Sequence, residues 1–222
     1  LACGFHAGDP LIMRNTVRLA LAQGVSIGAH PSFPDLQGFG RRAMQLSPAE
    51  LEATILYQVG ALQAMATAEG GRVSHVKPHG ALNNIACADA AVAATVARAV
   101  RSLDPALILL APAHSELARA GEAAGLPVRY EVFADRAYLD DGQLMPRSRP
   151  GAVLHDAEQC VEHVLAMLRE QAIVAASGHR LPTRIDSICV HGDGPEAVAT
   201  ARLIRQALEQ ADYRLAALDR MG

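Results

Sequence analysis

Short apolar runs alternate along this chain with longer stretches in which apolar residues recur every three or four positions. Short segments of four to six residues rich in apolar side chains predict strands buried on both faces, and the longer stretches predict helices with one buried face. Strands are expected at residues 25–29, 73–76, 106–110, 128–133 and 185–190, with a stub of a sixth at residues 1–3. Helices are expected at residues 10–23, 48–69, 89–102, 115–124, 156–175 and 195–211. Asp9-Pro10 supplies an N-cap followed by proline at the first helical position. Ser47-Pro48-Ala49-Glu50 is a capping box, and Gly70-Gly71 and Gly125 are helix stops. Residues 136–154 read as a long polar loop with a short hairpin at Asp141-Gly142.

A repeated strand–helix order with strands buried on both faces belongs to a parallel sheet covered by helices. No low-complexity linker divides the chain, so residues 1–222 are expected to form one domain. The pattern alone fits an open doubly wound sheet and a closed barrel equally well. A further strand ahead of residue 1 would bring the number of strand–helix units to seven. The chain starts without Met or a signal-peptide pattern, at what reads as the end of a strand, so an N-terminal piece is expected to be missing.

Composition narrows the class. Half the residues are apolar, enough for a sizeable core, and no apolar run approaches the length of a membrane span. A net charge of -3 gives no general attraction to nucleic acid or to anionic membranes. The four cysteines lie far apart with no CxxC pair, which argues against a disulfide scaffold and for a cytoplasmic protein. Of 20 basic residues 19 are arginine, so the one lysine, Lys77, stands out as a position where arginine does not serve.

The polar residues cluster where the expected strands end. His6 and Asp9 follow the stub, and His30 and Asp35 follow the next strand. Lys77-Pro78-His79-Gly80 comes after the third, His114 after the fourth, and Asp135-Arg136 after a fifth strand that contains Glu131. His191-Gly192-Asp193 ends the last. Ligands of parallel α/β folds bind at the carboxyl ends of strands, so these residues are expected to meet on one rim. Asp9 and Asp193 serve either as helix caps or as site residues, and Glu131 is either catalytic or ion-paired. His114 reads as a helix-start residue. The loop Gln37-Gly38-Phe39-Gly40-Arg41-Arg42 is either a lid or a surface turn. No phosphate-binding GxxxxGK[ST] loop, GxGxxG turn, GxSxG elbow or HExxH helix is present. Histidine and aspartate at strand ends could also bind a divalent metal.

Six segments together resemble one known family. ACGFHAGDP (residues 2–10), GAHPSFPDLQGFGRR (28–42), VKPHGALNN (76–84), EVFADRAY (131–138), DGQLMPR (141–147) and CVHGD (189–193) are similar, in this order, to motifs of the LamB/YcsF family. Its members are the A subunits of the bacterial ATP-dependent 5-oxoprolinase. Two departures stand out. The family's opening strand, with an Asn-Cys-Asp…Gly-Glu motif, is not in this sequence, and Asn83 stands where the family often has Tyr.

The resemblance implies a parallel (β/α) barrel, seven-stranded and related to sugar deacetylases, with its first strand absent here. It implies ring opening of 5-oxo-L-proline to L-glutamate, driven by ATP with Mg, together with the B and C subunits of 5-oxoprolinase. Such a reaction needs cations, an acid and a base. Lys77 and Arg147 are the cationic candidates, and His30, His79 and His191 the candidate acids or bases. Glu131 and Asp193 are candidates to orient them or to activate water, while His6, Asp9, Asp35 and Arg147 are candidates to hold substrate. Two other readings stay open. One is a metal-dependent deacetylase of a carbohydrate amide with His6 and His30 as ligands, and the other is a non-catalytic subunit that binds 5-oxoproline.

Overall fold

The computed structural model describes residues 1–192 and 196–221. Five strands, β1 (Ile27–Ala29), β2 (Val73–Val76), β3 (Ile108–Pro112), β4 (Val128–Phe133) and β7 (Ser187–Cys189), are hydrogen-bonded in that order, and β5 (Ala172–Val174) and β6 (Arg180–Pro182) form a separate ribbon. The expected α/β fold with parallel strands is the one observed: β1 with β2, β2 with β3 and β4 with β7 all pair in parallel. The chain forms two compact units, residues 1–111, 115–129 and 217–222 in one, and 112–114 with 130–216 in the other.

In the first unit the stub bridges in parallel from Ala2 to His30, and α1 (Pro10–Ala22) follows it. Then come β1 (Ile27–Ala29), α2 (Pro48–Ala68) and β2 (Val73–Val76). The Ser47 capping box forms as expected, with both reciprocal bonds present. Two helices, α3 (Gly80–Ala88) and α4 (Ala90–Leu103), precede β3 (Ile108–Pro112) and α5 (Glu116–Ala123). The sequence pattern predicts a loop where α3 lies. Asp89 ends α3 in an extended conformation and its side chain caps α4, so one residue makes the break. Ile55, Val59, Leu62, Val76, Leu82, Val96 and Leu109 are completely buried and form the core. Each such side chain contributes about 1.5–3 kcal/mol by burial.

In the second unit the last residues of β4 (Val128–Phe133) pair with β7 (Ser187–Cys189). Between them lie α6 (Ala157–Glu170), β5 (Ala172–Val174) and β6 (Arg180–Pro182). The single helix expected over residues 156–175 is thus cut short. Gln171 takes a left-handed conformation at φ 49°, and the chain turns into the antiparallel β5-β6 ribbon. The helix α7 (Ala197–Gln210) packs on α6 through Val164, Leu168, Ile204 and Leu208. The polar loop is held by Arg136, whose guanidinium donates to the carbonyls of Met145 and Ala152. A tight turn closes between Leu139 and Gln143, where the hairpin is expected.

Among the described residues all four cysteines are free and no single helix is long and apolar enough to cross a membrane.

Candidate functional site

The carboxyl ends of β1 and β2 bring His6, His30, Lys77 and His79 together. Parallel pairing does this directly. Lys77 N–H donates to the carbonyl of Ala29, His79 N–H to that of Pro31, and His30 N–H to that of Leu1. Three chain segments therefore end side by side, each offering an imidazole. The rings of His6 and His79 stack with centroids 3.9 Å apart and planes 8° from parallel. His30 meets His79 edge to face at 4.8 Å, and the Phe39 ring stands on edge against both His6 and His79.

Hydrogen bonds fix the protons in this cluster. Ser32 donates its hydroxyl to the carbonyl of Phe33, so its oxygen accepts from His6 Nδ1, 2.9 Å away. His30 Nδ1 donates to the carbonyl of Lys77 at 2.6 Å, and His79 Nε2 donates to that of Phe39 at 2.8 Å. Both carbonyls can only accept, so both of these nitrogens carry hydrogen. The remaining contact, His79 Nδ1 to His30 Nε2 at 3.0 Å, needs one proton more than two neutral imidazoles hold. Burial, then the charge of Lys77 and that of His79, push His30 well below its ordinary pKa. Burial therefore disfavours placing that extra proton on His30. Burial and the His79 charge push His6 down to about 4. The cluster is a stacked frame of three imidazoles, with the field of Lys77 added.

The glycine loop is docked onto this cluster. Asp35, almost completely buried, accepts from the backbone N–H of Gly38 and Arg42 and pairs with the Arg42 guanidinium. That pairing, foremost the Arg42 hydrogen bond, holds the Asp35 carboxyl below its ordinary pKa. Gly40, at φ 65°, lies so close to His79 and His6 that a Cβ there would stand 2.9 Å from the His79 ring. Its carbonyl accepts from Ala81 N–H at the start of α3. The carboxylate of Asp35 is thus engaged in shaping the loop, and that of Asp9 caps α1 at Ile12 N–H.

The second unit holds a separate polar group. Phe133 pairs with Cys189 in the β4-β7 register, so Asp135 and His191, two residues further along each strand, fall opposite one another. His191 Nδ1 lies 2.8 Å from both carboxylate oxygens of Asp135, and its ring stacks on Phe133 at 5.7 Å. The guanidinium Nη2 of Arg147 is 3.5 Å from His191 Nε2. Glu131 is buried in β4, and its charge adds to the burial that raises Tyr138, whose hydroxyl oxygen accepts from Phe133 N–H. His114, at φ 60°, bonds the carbonyl of Pro182, while Ser115 caps α5.

The expected site residues thus fall into two groups: His6, His30, Lys77 and His79 in one, His191 and Arg147 in the other. Asp193 lies outside the described residues. Asp135 stands at a strand end in the sequence, but its pairing with His191 is visible only in the strand register. Among the described residues no group of three or more His, Cys, Asp or Glu side chains could hold a metal ion. The crowded imidazoles direct their hydrogen-bonded nitrogens at Ser32, at two carbonyls and at each other, not at a common point.

A family model described as the LamB/YcsF family matches residues 1–222. The chain is 61% identical over 222 residues to the 5-oxoprolinase A subunit of Azoarcus sp. (strain BH72), covering all of this chain and 87% of that protein. It is 52% identical over 221 residues to a 5-oxoprolinase A subunit of Bradyrhizobium diazoefficiens, covering 99% of this chain and 86% of that one. Among solved structures, a lactam utilization protein from Thermus thermophilus superposes with a TM-score of 0.91 at 47% identity. That match covers 98% of this chain and 87% of the other.

Proposed function

Because the chain belongs to the LamB/YcsF family, we propose that it is the A subunit of an ATP-dependent 5-oxoprolinase, acting with B and C subunits. The reaction is the opening of 5-oxo-L-proline to L-glutamate, with ATP, accompanied by Mg, as co-substrate. The observation that carries this reading is the cluster of the His6, His30 and His79 imidazoles with Lys77 at the ends of two parallel strands.

The chemistry of the substrate explains the need for such a frame. A five-membered lactam is an unreactive amide, and its ring opening must be driven. ATP supplies the drive by phosphorylating the lactam oxygen. Water then adds to the ring carbon, the ring C–N bond breaks with its electrons passing to nitrogen, which takes a proton, and the acyl phosphate so formed is hydrolysed to carboxylate and phosphate. Negative charge is present throughout, on the substrate carboxylate, on the oxygen and on phosphate. Fixed cations are strongest where water is thinned out. Lys77 brings a compact charge to one oxygen, and His79 brings a proton donor. Because His79 is held between Phe39 and His30, its ring needs little reorganisation when charge develops. Since no metal donor set is assembled among the described residues, no step is assigned to a bound metal.

The test is ATP-dependent release of glutamate from 5-oxoproline by the full-length chain, alone and with both partner subunits. The expected result is little turnover alone and robust turnover with all three. Robust turnover by the chain alone would overturn the shared role. Saturable 5-oxoproline binding without turnover in the complete mixture would leave a purely binding role in place of an enzymatic one.

A further inference from the structure

We propose that Asp135 is a positioning residue that makes Nε2 of His191 a proton acceptor, with the Arg147 guanidinium marking the anionic side of the reacting centre. The assignment follows from which atoms can donate. A carboxylate only accepts, so the nitrogen 2.8 Å from both Asp135 oxygens, Nδ1, carries the hydrogen. A guanidinium only donates, so Nε2, 3.5 Å from Arg147 Nη2, presents its lone pair. Both neighbours therefore select one neutral tautomer of His191. The alternative, with hydrogen on Nε2, would set N–H against N–H on one side and lone pair against carboxylate on the other.

The fold holds this arrangement at three points. The β4-β7 register sets Asp135 and His191 side by side, with Ala134 N–H donating to the carbonyl of Cys189 just before them. The Asp135 carbonyl accepts from Leu154 N–H, which anchors the strand end. Phe133 supports one face of the imidazole. The charged groups around it are Asp135 on β4 and Arg147 on the loop, while from α6 Cys160 and His163 both feel the Asp135 charge. The His191 side chain is partly exposed, which leaves Nε2 reachable from solvent.

This deepens the proposed ring opening and rests on it for the identity of the substrate. In that reaction His191 Nε2 takes a proton from water while the water oxygen bonds to the ring carbon of the O-phosphorylated lactam and the C=N electron pair moves onto nitrogen. The new hydroxyl gives its proton to solvent and its electron pair forms C=O, the ring C–N bond breaks, and the bond's electrons pass to nitrogen, which takes the proton from Nε2. The acyl phosphate so formed loses phosphate to a second water, which leaves the amino acid, and His191 ends as it began. Asp135 keeps the ring turned the right way throughout, and a base so positioned contributes typically about 10²–10⁴-fold.

The test has two arms. In the full-length chain labelled with 15N-histidine, long-range proton–nitrogen NMR at pH 8 should show His191 neutral with hydrogen on Nδ1. Asp135→Asn should lose that pattern, and Asp135→Glu should partly keep it. A wild-type His191 with hydrogen on Nε2, or an unchanged pattern in Asp135→Asn, would overturn the proposal whatever the substrate. In the complex with both partner subunits, Asp135→Asn should lower kcat about 100-fold or more and leave KM within about twofold, with partial rescue by Asp135→Glu. Wild-type kcat in Asp135→Asn would sink the catalytic part while leaving the 5-oxoprolinase reading intact. Absence of turnover in the wild-type complex would sink that reading, and with it the catalytic part, while the tautomer arm still decides the position of the proton.

Discussion

Lys77 is the residue at which the proposed chemistry can be probed most sharply. Its backbone is fully used, with N–H on Ala29 and carbonyl on His30, so the segment is fixed before the side chain is considered. Its charge acts on His30 and His75, which places the ammonium in the field of the histidine cluster. A guanidinium is wider, planar and tuned to bidentate partners. Lys77→Arg is therefore expected to cut turnover of the complete enzyme by roughly 30- to 1000-fold, the value of about 2–4 kcal/mol in the transition state. Its melting temperature should stay near that of wild type. Unchanged turnover would mean that any cation serves there. A large loss of melting temperature would mark Lys77 as a structural ion-pair partner. At this scale the sequence is informative about residue type and weak about partners. The histidines at strand ends meet as expected in the first unit. Asp9, open in the sequence between a helix cap and a site role, caps α1, and Asp35, a candidate to hold substrate, folds the glycine loop.

At the level of elements, β2 and β4 run over the residues expected for them, each a short segment that opens on Val and closes on an apolar residue between helix-like stretches. The helix α3 is hidden in the sequence because it opens on a His-Gly pair, the histidine at its cap position making no side-chain cap bond, and is only nine residues long. The β5-β6 ribbon is hidden because the pattern of α6 continues into apolar residues 172–174. Close approach between elements supplies a prediction. The His75 ring on β2 lies directly over Gly28 on β1, and a Cβ at Gly28 would run into it. His75 is held there by Ser74, which also bonds the Ile27 carbonyl, so the ring cannot retreat without breaking that pair. Gly28→Ala should destabilise the chain by about 1–3 kcal/mol, the usual cost of overpacking, as measured by urea unfolding. The double variant Gly28→Ala with His75→Ala should recover most of that loss. Equal loss in both would show that the ring is not the obstacle.

For the whole molecule, the buried histidines set a pH dependence. Burial lowers His6 and His75 to about 4 and His30 well below its ordinary value of 6.5. Between pH 6.5 and 4 the unfolded chain therefore binds more protons than the folded one at these positions. Stability from this source is fully present above the unfolded value and is lost as pH falls from about 6.5 towards 4. The carboxylates lowered by ion pairs, Asp35 and Glu69, have the same sign but act at lower pH. The midpoint of urea unfolding should thus fall clearly between about pH 7.5 and about pH 5, above the carboxylate range. A flat midpoint over that interval would contradict the burial of the three rings.

The central claim is that the imidazole cluster at the ends of β1 and β2 takes part in the ATP-dependent opening of the lactam. It is tested most directly by the turnover of the three-subunit enzyme carrying His79→Gln. Glutamine keeps the size and polarity of the position and can still donate an N–H, but it cannot give up a proton to substrate. The predicted result is a fall in kcat for ATP-dependent glutamate formation of about 100-fold or more, in a chain that still folds and still assembles with its partners. Wild-type kcat in that assembled variant would contradict it.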